Sequence, residues 1–322
     1  MPLAPKKLQK KGQVRIVNVE NDFIGQRIDN YLIRMLKGLP KTHLYRLLRK
    51  GEIRVNKKRI GPDYRLAVGD SIRLPPLYLE EAGKLKPPAA ATTQKLIDSV
   101  LYEDKNLLIL NKPPHMSVHA GNTVRLGIIE TLKFHYTKLP HLELAHRLDS
   151  ETSGCLILAK KRGILKEIHT LLREGKMIKK YWALTKGEWN ENQLEVDFPL
   201  EKHYRQGGRH VVEVTGEGKS ALTHFKVLQN FPGCQLVEAT LFTGRTHQIR
   251  VHAAHSGHPI AGDDRYGESE FNKFVQKIGL KRMFLHARVI EFTLPSLNQE
   301  IRVQAPLDPE LEEALSALKR LT

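Results

Sequence analysis

The stretch "AHRLDSETSGCLILAK", residues 145–160, places His146, Arg147, Asp149, Ser150, Glu151, Thr152 and Ser153 directly before Gly154 and an apolar run from Cys155 to Ala159. A solvated loop has no need of so sharp an edge between charge and core. The plain reading of Asp149 is a turn or cap residue ahead of a strand; the chemical reading depends on what faces it. General acid/base hydrolysis of a glycoside needs a second carboxylate across the site. Glu151 is too near in sequence to lie opposite, and Asp263 and Asp264 belong to "GDDRYG", which reads as a turn. Without a partner acid, Asp149 is better suited to act as an ionised nucleophile. That role needs a fixed cation nearby, and arginine serves because it stays charged and forks onto a carboxylate.

Two further stretches set polar groups beside apolar strands. In "KMIKKYWAL" (176–184) Tyr181 closes a basic approach, and "TGRTHQIRVHAAHSGHPIAGDDRYG" (243–267) is dense in Arg and His. His247, His252, His255 and His258 invite a zinc site. However, "QIRVH" reads as a strand, which sends His247 and His252 to opposite faces, and no Cys pair or acidic ligand completes a set. No metal is expected. "HRLD" also has the look of a kinase catalytic loop, but no Gly-rich loop or DFG accompanies it. His146 is read as orienting its loop.

These stretches need a scaffold, and 322 residues allow about two domains. The net charge of +17 is uneven: residues 1–77 hold 18 Lys+Arg against 6 Asp+Glu, and the rest holds 34 against 29. A basic head on a nearly balanced body points to a polyanion gripped by one part and worked on by the other. Cys155 and Cys234, both in apolar or neutral surroundings, read as free buried thiols of a reducing compartment. The N-terminus lacks the apolar run of a secretory signal, and no segment approaches the roughly 18 apolar residues of a membrane span. A soluble, cytoplasmic protein is expected.

Residues 1–13 read as a disordered basic tail. Over 26–37, Ile28, Leu32, Met35 and Leu36 share a helical face with Arg27 and Arg34 off it; 41–50 is a second helix closed by Gly51. "EIRVNKKRI" and "AVGDSIRLP" supply short strands with turns at 56–58 and 69–70. Residues 78–97, rich in Pro and Ala, read as a linker. From 98 to 322 apolar strands dominate, with helices at 161–174 and 308–321 covering one face of the sheet. The fold class expected for 98–322 is α+β with a mixed, mostly antiparallel sheet.

"RIDNYL", "RLLRKGEIRVNKKRI" and "GDSIRL" resemble the αL-type RNA-binding domain first described in ribosomal protein S-four, over 14–77. "HRLDSETSG", "KKYWAL" and "TGRTHQIRVH", with "LNKPPHMSVHAG" and "GHPIAGDDRYG" in the same order, resemble the RluA-type pseudouridine synthases over about 98–310. The resemblance implies Asp149 as the catalytic aspartate and Tyr181 as the aromatic under the target uracil. It implies Arg250 as the partner of Asp149 and Arg147 as the residue that helps expel the base. Arg27, Lys41, Arg49, Lys50, Arg54, Lys57, Lys58, Arg59 and Arg245 are the expected RNA-binding residues. Conversion of uridine to pseudouridine breaks N1–C1′ and forms C5–C1′ with no atoms added, so no cofactor is expected. Structured large-subunit ribosomal RNA is the implied partner and a monomer the implied state. A non-catalytic ribosome-associated binding protein and a metal-dependent hydrolase are the competing readings.

Overall fold

Tightly spaced turns build the first 77 residues. The structure, a computed structural model, describes residues 13–20, 23–36, 38–77, 87–120, 126–189, 193–204 and 210–321. The expected tail lies outside these residues except for Gln13. The chain divides into two compact units, Met1–Lys86 and Pro87–Thr322.

The first unit runs β1 (Arg15–Asn18), α1 (Ile28–Met35), α2 (Lys41–Lys50), β2 (Arg54–Val55), β3 (Lys58–Arg59) and β4 (Ser71–Leu74), with sheet order β1-β4-β2-β3. Ile28 and Leu32 of α1 and Leu44, Leu47 and Leu48 of α2 bury against Ile53, Val55, Ile72 and Leu74. Gly51 ends α2 at φ 68, where the Glu52 N–H returns to the Leu47 carbonyl at 3.0 Å. Asn56 (φ 50) and Lys57 (φ 67) form a two-residue left-handed turn between β2 and β3, which turns Lys57 and Lys58 outward. Buried Asp70 holds this hairpin, accepting from Asn56 Nδ2 at 2.8 Å, Tyr64 Oη at 3.0 Å and the Ala67 N–H at 2.8 Å.

The second unit begins inside the expected linker, and that reading is corrected. Residues 78–86 lie outside the described residues, but α3 (Ala90–Asp98) is a helix with Leu96 in the second unit's core. Leu96 is the single fully buried side chain of α3, so no apolar period marks the helix in the sequence. There follow β5 (Val100–Glu103), β6 (Leu107–Lys112), α4 (Ile128–His135), β7 (Glu143–Leu144), β8 (Ser153–Ala159), α5 (Arg162–Arg173) and β9 (Ile178–Lys186). Then come β10 (Gln193–Asp197), β11 (Leu200–Tyr204), β12 (His210–Val214), β13 (Leu222–Phe231), β14 (Cys234–Leu241) and α6 (Gln248–His255). The unit closes with α7 (Ser269–Lys277), β15 (Leu285–Leu294), β16 (Gln299–Gln304) and α8 (Pro309–Lys319).

The main sheet has the order β10-β13-β14-β9-β15-β8-β6-β5, with β16 on β15 and β7 on β8. Every pairing is antiparallel except β15 with β8, a parallel seam where His286 meets Ser153 and Ala287 meets Gly154. The α+β, mostly antiparallel expectation therefore holds. In β9, Tyr181 and Ala183 join the largest apolar cluster while Leu184 joins another, so the two clusters lie on opposite faces of the sheet. Helix α5 packs Ile164, Ile168 and Leu171 into the first cluster, and α8 packs Leu311, Ala314 and Leu318 into the second. The expectation that both helices cover one face is thereby corrected: amphipathicity shows that a helix has a core side, not which side of the sheet it meets.

At the seam Gly154 has φ +104, and a Cβ there would lie 2.3 Å from the Ala287 carbonyl oxygen. Gly154→Ala is expected to cost at least about 3 kcal/mol, because backbone strain and overlap with a central strand add. Thermal unfolding measures this, and an unchanged midpoint would show that the seam yields freely.

Candidate active site

The loop from Ala145 to Thr152 carries Asp149 and runs straight into the seam. Strand β8 beyond it is buried throughout, which explains the sharp edge in the sequence. Ala145 and His146 continue the ladder from outside the strand: the Ala145 N–H donates to the Ile157 carbonyl at 2.9 Å, and His146 Nε2 accepts the Ile157 N–H at 3.0 Å. Burial, with the Lys179 charge adding, pulls the His146 pKa down to about 4, which suits an acceptor nitrogen. His146 thereby ties its loop to β8.

Lys112, at the end of β6, holds the loop from the other side. Its buried ammonium donates to the carbonyls of Pro113 at 2.8 Å, Met116 at 3.0 Å and Ser150 at 2.9 Å. Burial, then the charge of Arg282, lowers its pKa to about 7. His115 Nδ1 meets Glu151 at 2.6 Å, joining the same two loops at the surface.

Arg250 comes from a helix, which corrects the strand reading of "QIRVH". Residues 248–253 are all buried, and a helix buried all round shows no 3.6-residue period, so its alternating apolar positions imitate a strand. Gln248 fastens the start of α6. Its oxygen accepts from Thr243 Oγ1 at 2.7 Å and the Arg245 N–H at 3.0 Å; its nitrogen donates to the Leu222 carbonyl and to Thr223 Oγ1, both at 2.9 Å.

The expected contact of Arg250 with Asp149 is present, with Nη1 donating to Asp149 Oδ2 at 3.3 Å. The guanidinium fork, however, belongs to Asp263: Nε to Oδ2 and Nη2 to Oδ1, both at 2.7 Å. Asp263 also accepts the N–H groups of Arg265 at 2.9 Å and Tyr266 at 3.1 Å. Burial alone would raise its carboxyl, but Arg250 and these N–H groups outweigh burial and hold it below the usual carboxylate range. "GDDRYG" is a turn, as expected, and the turn is what aims Asp263 inward. In the sequence Asp263 reads only as a turn residue, and the Arg-rich stretch before it is the signal that points to an inward role.

Asp149, Tyr181, Arg250, Arg147 and Arg245 line one cleft of about 120 Å³, with Leu148, Leu241 and Leu285 supplying apolar wall. Tyr181 stands in β9 between Ala239 and Ala287, and burial, then Cys155 and Asp149, push its phenol pKa up, so it stays neutral. Arg147 is exposed at the cleft mouth and also lines an open groove of about 900 Å³ that runs past Asp149 to Arg265 and Lys281. Arg245 is exposed, with Nε donating to the Ser220 carbonyl at 3.0 Å.

The other expected RNA-binding residues lie in the first unit. Lys41, Arg49, Lys50, Arg54, Lys57, Lys58 and Arg59 are exposed, and Arg49 and Arg59 border a cleft with Tyr45. Arg27 instead folds onto buried Asp29, through Nη2 at 2.8 Å and Nε at 3.2 Å.

The four histidines do not converge. His252 meets Thr223 Oγ1 and the Phe198 carbonyl, His255 packs on Phe198, His258 stacks on Trp189, and His247 meets Tyr266. Among the described residues no three potential metal ligands converge. The cysteines are free and buried, and burial raises both thiols to about 11.

Burial also lowers His247 and His286 to about 4, alongside His146. Below the ordinary pKa of about 6.5 the unfolded chain binds protons that these three rings refuse. Stability is therefore expected to fall as pH drops from 6.5 to about 4. A thermal midpoint lower by several degrees at the acid end of that window is the expected result.

An aspartate, an arginine and a tyrosine thus share one cleft of this sheet, and known proteins that resemble the chain give the arrangement its family. The family model for RNA pseudouridylate synthases matches residues 106–255, and that for the S4 domain matches 26–72. Ribosomal large subunit pseudouridine synthase C of Yersinia pestis is 46% identical over 308 residues, covering 95% of this chain and 96% of that protein. The protein of the same name from Escherichia coli K12 is 46% identical over 309 residues, covering 95% and 97%. Human RNA pseudouridylate synthase domain containing 4 superposes with a TM-score of 0.59 at 28% identity, covering 71% of this chain and 96% of that one. Its human counterpart, domain containing 1, gives 0.56 at 26% identity, covering 67% and 86%. The chain belongs to the pseudouridine synthase family, as the sequence motifs imply, and is an isomerase with an N-terminal S4 domain. No helix of the described residues is long and apolar enough to cross a membrane.

Proposed function

We propose that this enzyme converts uridines of large-subunit ribosomal RNA to pseudouridine in the cytoplasm, with Asp149 as the reacting carboxylate. The carrying observation is that Asp149 sits 3.3 Å from Arg250 in a cleft it shares with Tyr181. A uridine held there would have N1–C1′ broken, the uracil turned, and C5–C1′ formed, with the C5 proton lost to solvent and a proton taken up at N1. Asp149 serves by attacking C1′ or by taking a ribose proton; both use the same ionised oxygen. The target base must leave its stack at a cost of a few kcal/mol. Arg147, exposed at the cleft mouth, takes its place in the stack, and packing on Tyr181 returns about 1–3 kcal/mol.

Incubation with a large-subunit rRNA transcript carrying tritium at uracil C5 tests this reading. Release of tritium is the expected result, and none would sink it. Mapping pseudouridines in rRNA from a strain lacking the gene identifies the target uridines.

The exposed lysines and arginines of the S4 domain dock on phosphates of the same RNA. Binding is therefore expected to weaken at least about 10²-fold between roughly 50 and 200 mM salt. A flat dependence would remove the S4 domain from the proposal.

A further inference from the structure

His247 has been given no role so far, yet its ring faces Asp149. It precedes α6 at φ 55, a left-handed conformation that a non-glycine residue adopts at some cost. Its ring is held at Nδ1 and faces Asp149 through Nε2. Nδ1 lies 2.8 Å from Tyr266 Oη, and that oxygen accepts the Val212 N–H at 3.0 Å. A carboxylate can only accept, so the ring nitrogen that faces Asp149 carries the proton and Nδ1 is left to accept from the Tyr266 hydroxyl. Nδ1 is thereby the acceptor, and the neutral ring carries its proton on Nε2.

That Nε2 lies 3.7 Å from Asp149 Oδ2, the same oxygen that Arg250 Nη1 reaches at 3.3 Å. Among the described residues, these are the side-chain contacts of Asp149 to cationic or imidazole groups, and both fall on Oδ2. Donors in an unliganded site commonly stand long and close up once substrate is bound. Charges around the ring are mixed: Asp149 and Asp263 favour protonation, and Arg250 and Arg265 oppose it. Burial decides, and the imidazole is neutral at neutral pH.

We propose that His247 is a positioning residue: as the Nε2–H tautomer held by Tyr266, it and Arg250 hold Asp149 by Oδ2 and leave Oδ1 as the oxygen that meets the ribose. The proposal rests on the reading of Asp149 as the reacting group.

The test uses the full chain and the tritium-release assay. His247→Leu is expected to lower kcat about 10- to 100-fold with KM for RNA nearly unchanged, a size typical of groups that orient a reacting ligand. His247→Gln, whose amide N–H reaches the Nε2 position, is expected to recover most of the loss. Nitrogen-15 NMR of the wild-type imidazoles should show His247 protonated on Nε2 and bare on Nδ1. Wild-type kcat in the Leu variant, Gln as impaired as Leu with both folded, or the Nδ1–H tautomer would each overturn the proposal. Asp149→Asn in the same assay separates the two readings. If it turns over, the assignment of Asp149 fails; if it is inert while His247→Leu is active, only the inference about His247 fails.

Discussion

Asp149→Asn is expected to lower tritium release by more than about 10³-fold while RNA affinity and thermal midpoint stay close to wild type. The amide keeps the shape of the carboxylate and can still accept from Arg250 Nη1, but it can neither attack C1′ nor accept a ribose proton. Its effect on folding is small for a reason particular to this site. Arg250 retains its two hydrogen bonds to Asp263 when Asp149 is neutralised, so no buried charge is left uncompensated. Asp149 itself lies at the cleft wall with part of its side chain exposed. Three measurements on one preparation decide the matter: tritium release, RNA binding by filter retention, and a melting curve. A large loss of stability would make the acid structural, and substantial residual turnover would remove it from the reaction.

Asp263→Asn is expected to do the opposite, failing first in stability. Its carboxylate is wholly buried and is the bidentate partner of a guanidinium that is itself only 8% exposed. Removing one member of such a pair strands the other's charge, at a cost of about 3–5 kcal/mol. For a unit of this size that lowers the melting point by roughly 10 °C. Activity should fall too, because Arg250 is then free to swing fully onto Asp149 and draw it from its position. The double variant Asp263→Asn with Arg250→Met replaces the stranded cation with an apolar chain of similar length. It should regain much of the stability and none of the activity. If the single variant melts with the wild type, the fork to Asp263 contributes little and Asp149 is the true counter-charge of Arg250.

This division of labour between two aspartates was half visible in the chain. The loop at Asp149 stands out because local composition marks it, polar to Ser153 and apolar from Cys155. Gly51 as a helix terminator and the turn at Asn56–Lys57 were legible for the same reason, since each depends on the φ that particular residues tolerate. Helix α6 was misread because all its faces are buried, and α3 was missed because it buries a single leucine completely. Asp263 and Lys112 were passed over because their partners lie 13 residues away in Arg250 and as far as 38 residues away in Ser150, where no short-range pattern points.

The sequence by itself determined which residue types are available for the chemistry, their order, and the strands that deliver them, because these follow from local sterics and from the boundary between polar and apolar runs. Tertiary structure decided the charge partners. The energy of a buried guanidinium or ammonium depends on distance through space and on how many acceptors converge there. It therefore took the packing of α6 beside β12 and β13, and the turn that follows it, to give Arg250 to Asp263 and leave Nη1 for Asp149.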